Sequence, residues 1–280
     1  MALHLRKARP EDKAKAVEVE LAAIPGMGYL TYVYDEWLKE TIGDLSVVEY
    51  EGEIIGVGKY SRLPDGSAWL ETLRVTPPKQ GIGGGKILYN HWVKRAEEQN
   101  VKYMAMYTGI TNVKSKGLAE RYGLRVRGTY AEGQMPLKEI PAAKNTPAFR
   151  VVEDVERAAA LVESMERQWK GFMSLNRTWY RINEGNCRWL AKERMVYEDL
   201  TTGSFIVLGS RMMPWQALNI PVMSGDYESC LRFAVKLGQE RKVERLNIIY
   251  PPDASDIQEA ITQFGFKVTS SSLITMGIDL

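Results

Sequence analysis

The residues best placed to do chemistry stand in one short stretch, Val75-Thr76-Pro77-Pro78-Lys79-Gln80-Gly81-Ile82-Gly83-Gly84-Gly85-Lys86-Ile87-Leu88, where four of five consecutive residues are glycine. A glycine-rich turn that runs into a helix presents backbone N–H groups with no intrahelical acceptor, and the helix dipole adds about half a positive charge. Such a turn cradles an anion, a pyrophosphate for instance, without an arginine cluster. Three consecutive glycines also cost conformational entropy that a bare turn does not require, which favours a ligand role. The two common nucleotide motifs do not fit. In a Walker A loop the lysine precedes Ser or Thr, whereas Lys86 precedes Ile87, which has no hydroxyl for Mg²⁺. The G-x-G-x-x-G fingerprint follows the first strand of a parallel unit, whereas this turn follows an antiparallel meander. With two histidines, His4 and His91, and two cysteines, Cys187 and Cys230, lacking CxxC spacing, no metal centre and no disulfide framework are expected.

The elements around this turn alternate between strand and helix periodicity, which predicts an α/β (α+β) domain. Leu3–Ala8 reads as a strand, and Pro10 opens a helix to about Ala23, with Glu11 and Asp12 complementing the dipole. The stretch Ile24–Tyr34 reads as a loop into a short helix around Asp35–Thr41. Leu45–Glu49 and Ile54–Ser61 alternate about Glu51-Gly52, a hairpin signal, and Trp69–Val75 follows the Pro64-Asp65-Gly66 turn. Gly85–Gln99 is predicted as a helix, Lys102–Tyr107 as a strand, Val113–Tyr122 as a helix and Leu124–Tyr130 as a strand.

A length of 280 residues is a prior for two domains, and 45 % hydrophobic with 26 % charged residues is ordinary globular composition. The linker is placed at Pro136–Pro147, which has three prolines and no period, separating domains 1–135 and 148–280. The second domain reads as a worn copy of the first. Phe149–Asp154 echoes the opening strand. Leu218–Met223, Tyr227–Arg241, Arg245–Tyr250, Asp256–Phe264 and Leu273–Ile278 then repeat the order strand, helix, strand, helix, strand. The net charge is +2, and no 18-residue apolar run occurs. Nucleic acid and membrane are therefore not expected partners, and a cytoplasmic location is expected.

Taken together, Val75-Thr76-Pro77 with Gln80-Gly81-Ile82-Gly83-Gly84-Gly85, and Asn112-Val113-Lys114-Ser115 running to Tyr122-Gly123-Leu124, resemble the two signature blocks of the GNAT superfamily of acyl-CoA-dependent N-acyltransferases. The resemblance covers about residues 3–135 well and the remainder in outline. It implies two domains, each a mixed, mostly antiparallel twisted sheet flanked by helices, and acetyl-CoA as cosubstrate. The cosubstrate would lie in a split between Trp69–Val75 and Lys102–Tyr107. Backbone groups of Leu73, Arg74 and Val75 would meet the pantetheine arm. The N–H groups of Gly81, Ile82, Gly83, Gly84, Gly85 and Lys86 would take the pyrophosphate with help from the Gln80 side chain, and Asn112 and Ser115 would reach the pantetheine side. His91, in the helix after the turn, is expected to be structural.

Attack on a thioester needs a neutral amine, and α-amino groups and lysines ionise near pH 8 and 10.4, so a base is useful. By the same resemblance Glu71 stands where several family members carry a catalytic or substrate-binding glutamate. A backbone N–H near Leu73 or Arg74 would stabilise the developing oxyanion. One position departs from the pattern: where many members place a tyrosine that protonates the leaving thiolate, this chain has Ala119. A thiol that ionises near pH 8.5 is a tolerable leaving group, so the loss need not abolish activity; Tyr122, Tyr107 and Ser115 are the candidate replacements. Substrate contacts are expected from Tyr29, Tyr32 and Trp37. Tyr29-Leu30 and Trp37-Leu38, with Glu71, are distantly similar to the histidine N-acetyltransferase-like branch, whose substrates are free amino acids. The expected activity is acetyl transfer to the primary amine of a small molecule. A silent CoA-binding module and a protein N-acetyltransferase are the alternatives. In the second domain the turn is Met223-Ser224-Gly225-Asp226-Tyr227, whose aspartate would repel a pyrophosphate. That domain is expected to buttress the first, close the cleft or form a homodimer, with Trp169, Trp179, Trp189 and Trp215 in its core.

Overall fold

The computed structural model describes residues 2–138, 140–141 and 148–280. Two compact units emerge, and their boundary differs from the one expected from sequence. The first contains the residues up to Tyr107, Asn112–Arg125 and Met276–Leu280; the second contains Thr108–Thr111 and Val126–Thr275.

In the first unit the chain forms β1 (His4–Lys7), α1 (Lys13–Ala23), α2 (Leu30–Lys39), β2 (Asp44–Tyr50), β3 (Glu53–Arg62), β4 (Ala68–Val75), α3 (Gly84–Glu98), β5 (Tyr103–Gly109, through Tyr107 in this unit) and α4 (Val113–Arg121). The order of elements is the expected one, although α2 starts five residues earlier than the aromatic loop suggested. β1, β2, β3 and β4 pair antiparallel in sequence order, and β4 then pairs parallel with β5. Glu51 and Gly52 both have positive φ, 55° and 82°, the turn that matches the right-handed twist of a tight hairpin. Val47, Val57, Trp69, Leu88 and Trp92 fill the core. A Cβ on Gly58 would stand 2.7 Å from the Trp92 ring and 2.9 Å from Leu88, so only glycine lets α3 settle on β3.

Arg6 ties the opening elements together. Its guanidinium bonds both oxygens of Asp12, at 2.6 and 2.8 Å, and Glu49 Oε1 at 2.8 Å. These contacts hold the Asp12 and Glu49 carboxyls below their ordinary range, against the opposing effect of burial. His91 bonds Asp44 at 3.1 Å, joining α3 to β2.

The second unit repeats the plan. β7 (Arg150–Val151), β10 (Val196–Glu198), β11 (Phe205–Gly209) and β12 (Ala217–Ser224) pair antiparallel, and β12 pairs parallel with β13 (Arg245–Tyr250). α5 (Val155–Glu163) and α6 (Glu184–Lys192) pack on each other, and α7 (Tyr227–Glu240) and α8 (Ser255–Phe264) complete the copy. A hairpin absent from the first unit, β8 (Phe172–Leu175) and β9 (Thr178–Arg181), packs against β12 and β13. Trp169 and Trp179 are buried as expected, whereas Trp215 is 41 % exposed.

The expected strand Leu124–Tyr130 is longer, β6 (Arg125–Pro136), and from Val126 onward it belongs to the second unit, where it runs antiparallel to β13. The chain's final strand, β14 (Lys267–Asp279), enters the first unit with its last residues, where the Leu280 N–H bonds the Lys102 carbonyl at 3.0 Å and the Tyr103 ring packs over Gly277. The strand that follows α4 thus pairs with β13 of the other copy, and the strand that follows α8 returns its end to the first. Pro136 closes β6 and does not open a linker; of the expected linker, residues 139 and 142–147 lie outside the described residues.

Two outcomes follow. Deleting residues 276–280 removes a strand segment from the first unit, and differential scanning calorimetry should show its transition falling by several degrees. Asp12 and Glu49, both depressed, contribute stability above their unfolded-state range and lose it as pH falls. Arg6→Met should therefore move the midpoint of acid unfolding, followed by circular dichroism, to higher pH.

Candidate functional site

The site grows from β4. Opposite Val57 and Lys59 of β3 stand Arg74 and Glu71, so β4 carries one extra residue in that interval, and Thr72 takes φ 59°. This is a β-bulge, which kinks a strand and redirects its backbone groups. β4 is paired with β5 at Ala68, Trp69 and Leu70, opposite Met104, Ala105 and Met106, and the ladder ends there. Beyond Leu70 the two parallel strands part, as expected for the split. Two β4 carbonyls past that point accept from side chains: Leu73 O from Arg74 Nη1 at 3.0 Å, and Val75 O from Gln80 Nε2 at 3.2 Å. These are acceptors that a peptide-like ligand arm can take over.

Below the split lies the glycine turn. Gly81 and Gly83 have φ of 89° and 110°, conformations that L side chains rarely adopt. Gly83 is the N-cap of α3, and as a glycine it has no side chain to accept the first N–H groups of Gly84, Gly85 and Lys86. Gly84 and Gly85 are packed under Val75 and Leu73, and a Cβ on Gly85 would lie 2.9 Å from Leu118. Ile82 is 43 % exposed. The cradle therefore fits an anion such as a pyrophosphate. The second unit answers the same need differently. Asp226 caps α7, accepting from Ser229 N at 3.2 Å and Ser229 Oγ at 2.6 Å, and these bonds hold its carboxyl below the ordinary range. The negative charge at that helix end is the protein's own.

Asn112 and Ser115 form a helix cap: Asn112 Oδ1 accepts from Ser115 N at 3.1 Å and starts α4. Lys114 Nζ reaches Gln80 Oε1 at 3.1 Å, so α4 also holds the phosphate turn. Tyr122 is committed elsewhere. Its hydroxyl lies 2.9 Å from Lys86 O and 2.6 Å from Asn90 Oδ1, and its ring stacks on Tyr89, which makes it a brace between α3 and α4. Ala119 is fully buried.

On the other side of β4 the polar groups converge. Tyr29 shares a hydrogen bond with Thr72 Oγ1, and Ser61 Oγ donates to Glu71 Oε1 at 2.6 Å. Burial raises the Tyr29 hydroxyl above its ordinary range, opposed by the nearby Arg74 charge and reinforced by Glu71 and Tyr107, so all three stand within electrostatic reach of it. Tyr107 stacks on Trp69 with ring planes 5° apart. Trp37 is buried behind Tyr29, edge-on at 6.0 Å, with Lys59 Nζ 5.8 Å from its ring. Tyr32, expected in the same set, is 57 % exposed on α2. Three members were not picked out from sequence: Thr72, Ser61 and Glu20. Glu20 is an acid on the buried face of α1 beside Ala16 and Val19, which is a legible signal; it accepts from Leu30 N at 3.0 Å and thereby starts α2. Ser61 needed the β3–β4 register, and Thr72 the bulge.

Residues 15–124 match the model of the acetyltransferase (GNAT) family. Over those residues the chain matches a GNAT acetyltransferase domain. The solved structures that resemble the whole chain are of the same kind. A GCN5-related N-acetyltransferase from Sphaerobacter thermophilus is 13 % identical, with TM-score 0.68 over 99 % of this chain and 95 % of that one. A tandem GNAT protein from the clavulanic acid biosynthesis pathway is 13 % identical, with TM-score 0.58 over 99 % and 98 %. A GCN5-related N-acetyltransferase from Kribbella flavida is 12 % identical, with TM-score 0.51 over 98 % and 70 %. At these identities the likeness is one of fold, and the fold is that of a tandem GNAT protein. No curated protein matches the chain in sequence. Acetyl-CoA is the cosubstrate of this family. No helix of the described residues is long and apolar enough to cross a membrane.

Gly83→Ala forces a Cβ into φ 110° and to 3.2 Å from Leu3 at the mouth of the cradle. Calorimetric titration with acetyl-CoA should show at least a tenfold weaker affinity, on the order of 1.4 kcal/mol, in a variant whose circular dichroism is unchanged.

Proposed function

We propose that the first unit transfers an acetyl group from acetyl-CoA to the primary amine of a small molecule. The observation that carries this reading is the placement of Glu71, Tyr29 and Thr72 at the bulge where β4 leaves β5, next to a glycine-capped helix N-terminus. Acetyl-CoA, when bound, supplies an activated acyl thioester. The residues that would hold it are Gly81–Lys86 for the pyrophosphate, Leu73 and Val75 for the pantetheine amides, and Gln80, Asn112 and Ser115 around them.

The chain's own groups divide the remaining work. Glu71 Oε1 accepts from Ser61, which orients the carboxylate that would take a proton from the amine directly or through one water. The bulge at Thr72 falls where β4 leaves the β5 ladder, and a backbone N–H near Leu73 or Arg74 would stabilise the developing negative charge. Tyr29, raised by burial, keeps its proton at neutral pH and remains a hydrogen-bond donor within the cluster. Trp37 and Trp69 line the neighbourhood with apolar surface, which strengthens these electrostatic contacts by excluding water.

Glu71→Gln keeps the Ser61 hydrogen bond and removes the base. CoA release measured with a panel of primary amines should fall about 10²- to 10⁴-fold in kcat, with acetyl-CoA affinity intact. An unchanged rate removes Glu71 from the role of base. Saturable acetyl-CoA binding with no turnover on any amine assigns the chain to silent CoA-binding modules instead.

A further inference from the structure

We infer that Glu20 is a positioning residue for the amine: its buried carboxylate fastens the start of α2, sets Tyr29 against the bulge, and so governs affinity for the acceptor but not for the cosubstrate. This role rests on the acetyl-transfer reading of the same site.

Glu20 lies on the inward face of α1 with Ala16 and Val19, and it is fully buried. Burial pushes its carboxyl above the ordinary range, and the Leu30 N–H and the nearby Arg74 charge oppose that push. Oε2 accepts from Leu30 N at 3.0 Å, whereas Oε1 is buried without a hydrogen-bond partner. A half-satisfied acid in the interior costs stability that an apolar side chain of similar size does not. What the carboxylate gives in return is order in the connection between α1 and α2.

Leu30 is the first residue of α2 and is itself fully buried, so its N–H needs an acceptor that water cannot supply. Tyr29, just before it, makes no side-chain cap to α2; its hydroxyl is engaged with Thr72 Oγ1 in the bulge. Ser, Thr, Asp or Asn near that point would cap the helix locally. Here the acceptor comes from ten residues upstream, which leaves the start of α2 to a tyrosine that faces β4. Glu20 O also accepts from Ile24 N at 2.9 Å, so one residue fastens the connection at Ile24 and again at Leu30.

Between those two points Met27 Sδ lies 3.5 Å from Arg74 Nη2. The contacts of the connection with β4, Met27 to Arg74 and Tyr29 to Thr72, fall away from the phosphate cradle, because Leu73 and Val75 lie against Gly85 and Gly84 at the start of α3. Loosening the connection therefore disturbs the acceptor face of β4 and spares the cosubstrate face. A displacement of about 1 Å in a group that orients a reactant is enough to be read in kinetics.

Steady-state kinetics on the full chain, with the best amine of the panel, separates the two substrates. In Glu20→Leu the amine KM should rise about tenfold or more while the acetyl-CoA KM stays within about twofold. Glu20→Gln keeps an oxygen for Leu30 N and should bring the amine KM back to within about threefold of wild type. Glu20→Leu added to Tyr29→Phe should cost less than it does alone, since both act through one contact. Hydrogen exchange needs no turnover: amides between 24 and 33 should exchange about tenfold faster in Glu20→Leu, with α3 and β5 unchanged. The proposal is overturned if Glu20→Leu keeps the wild-type amine KM or the wild-type exchange of that segment, if the acetyl-CoA KM rises with the amine KM, if Glu20→Gln is as impaired as Glu20→Leu, or if the two substitutions add fully. Should Glu20→Leu not fold, Glu20→Asp decides, because it keeps the charge but is one methylene short of Leu30 N; a wild-type amine KM there overturns the role. A wild type that acetylates no amine sinks the acetyl-transfer reading alone, and the exchange of the segment then decides for or against Glu20.

Discussion

The parting of two parallel strands governs this protein. β4 and β5 share a ladder only as far as Leu70 and Met106, and the extra residue at Thr72 prevents the ladder from continuing. A parallel pair that stays zipped would bury its backbone groups and leave no room between the strands. Once unzipped, β4 has carbonyls that the side chains of Arg74 and Gln80 hold, and it separates two faces. One face meets the N-terminus of α3. The other meets Tyr29, Glu20 and Met27 from α1, α2 and their connection. A cosubstrate and an acceptor need such a two-sided opening.

The second unit shows which parts of that arrangement are fold and which are function. Opposite Val207 and Gly209 of β11 stand Val222 and Asn219 of β12, the same two-against-three spacing, and the β12–β13 ladder ends at Ile220, before Pro221, which has no N–H to give. The bulge and the split are thus inherited by both copies. The anion cradle is not: Asp226 occupies the helix end with a carboxylate, and the β8–β9 hairpin packs against β12 and β13. Separate, worn GNAT-like architecture, with the cradle in one copy only, is what the geometry supports.

Much of this was readable along the chain. The glycine turn announced itself because φ values of 89° and 110° are open to glycine and to few other residues. The hairpin at Glu51-Gly52 and most helices and strands of the first unit followed from period and turn chemistry. The missed pieces share a cause. Thr72 takes a positive φ because of strand register, which pairs residues distant in sequence. Ser61 meets Glu71 for the same reason. Tyr122 was one of three candidate proton donors, and the approach of α4 to α3 commits its hydroxyl to Lys86 and Asn90. The compact units divide at a different place from the expected domains because β6 is continuous in sequence with the first copy, while its ladder partner is β13 of the second.

By itself the sequence determined the local conformations: where glycine must stand, where helices begin, which faces are apolar, and where a helix N-terminus is left with uncapped backbone N–H groups. Those properties depend on neighbours within a few residues. Tertiary structure alone decided which strand closes which unit, which hydroxyls are committed to the scaffold, and that the Arg74 side chain turns towards Met27, away from the glycine turn. Each of these depends on pairing across long separations, where a shift of one residue exchanges the two faces of a strand.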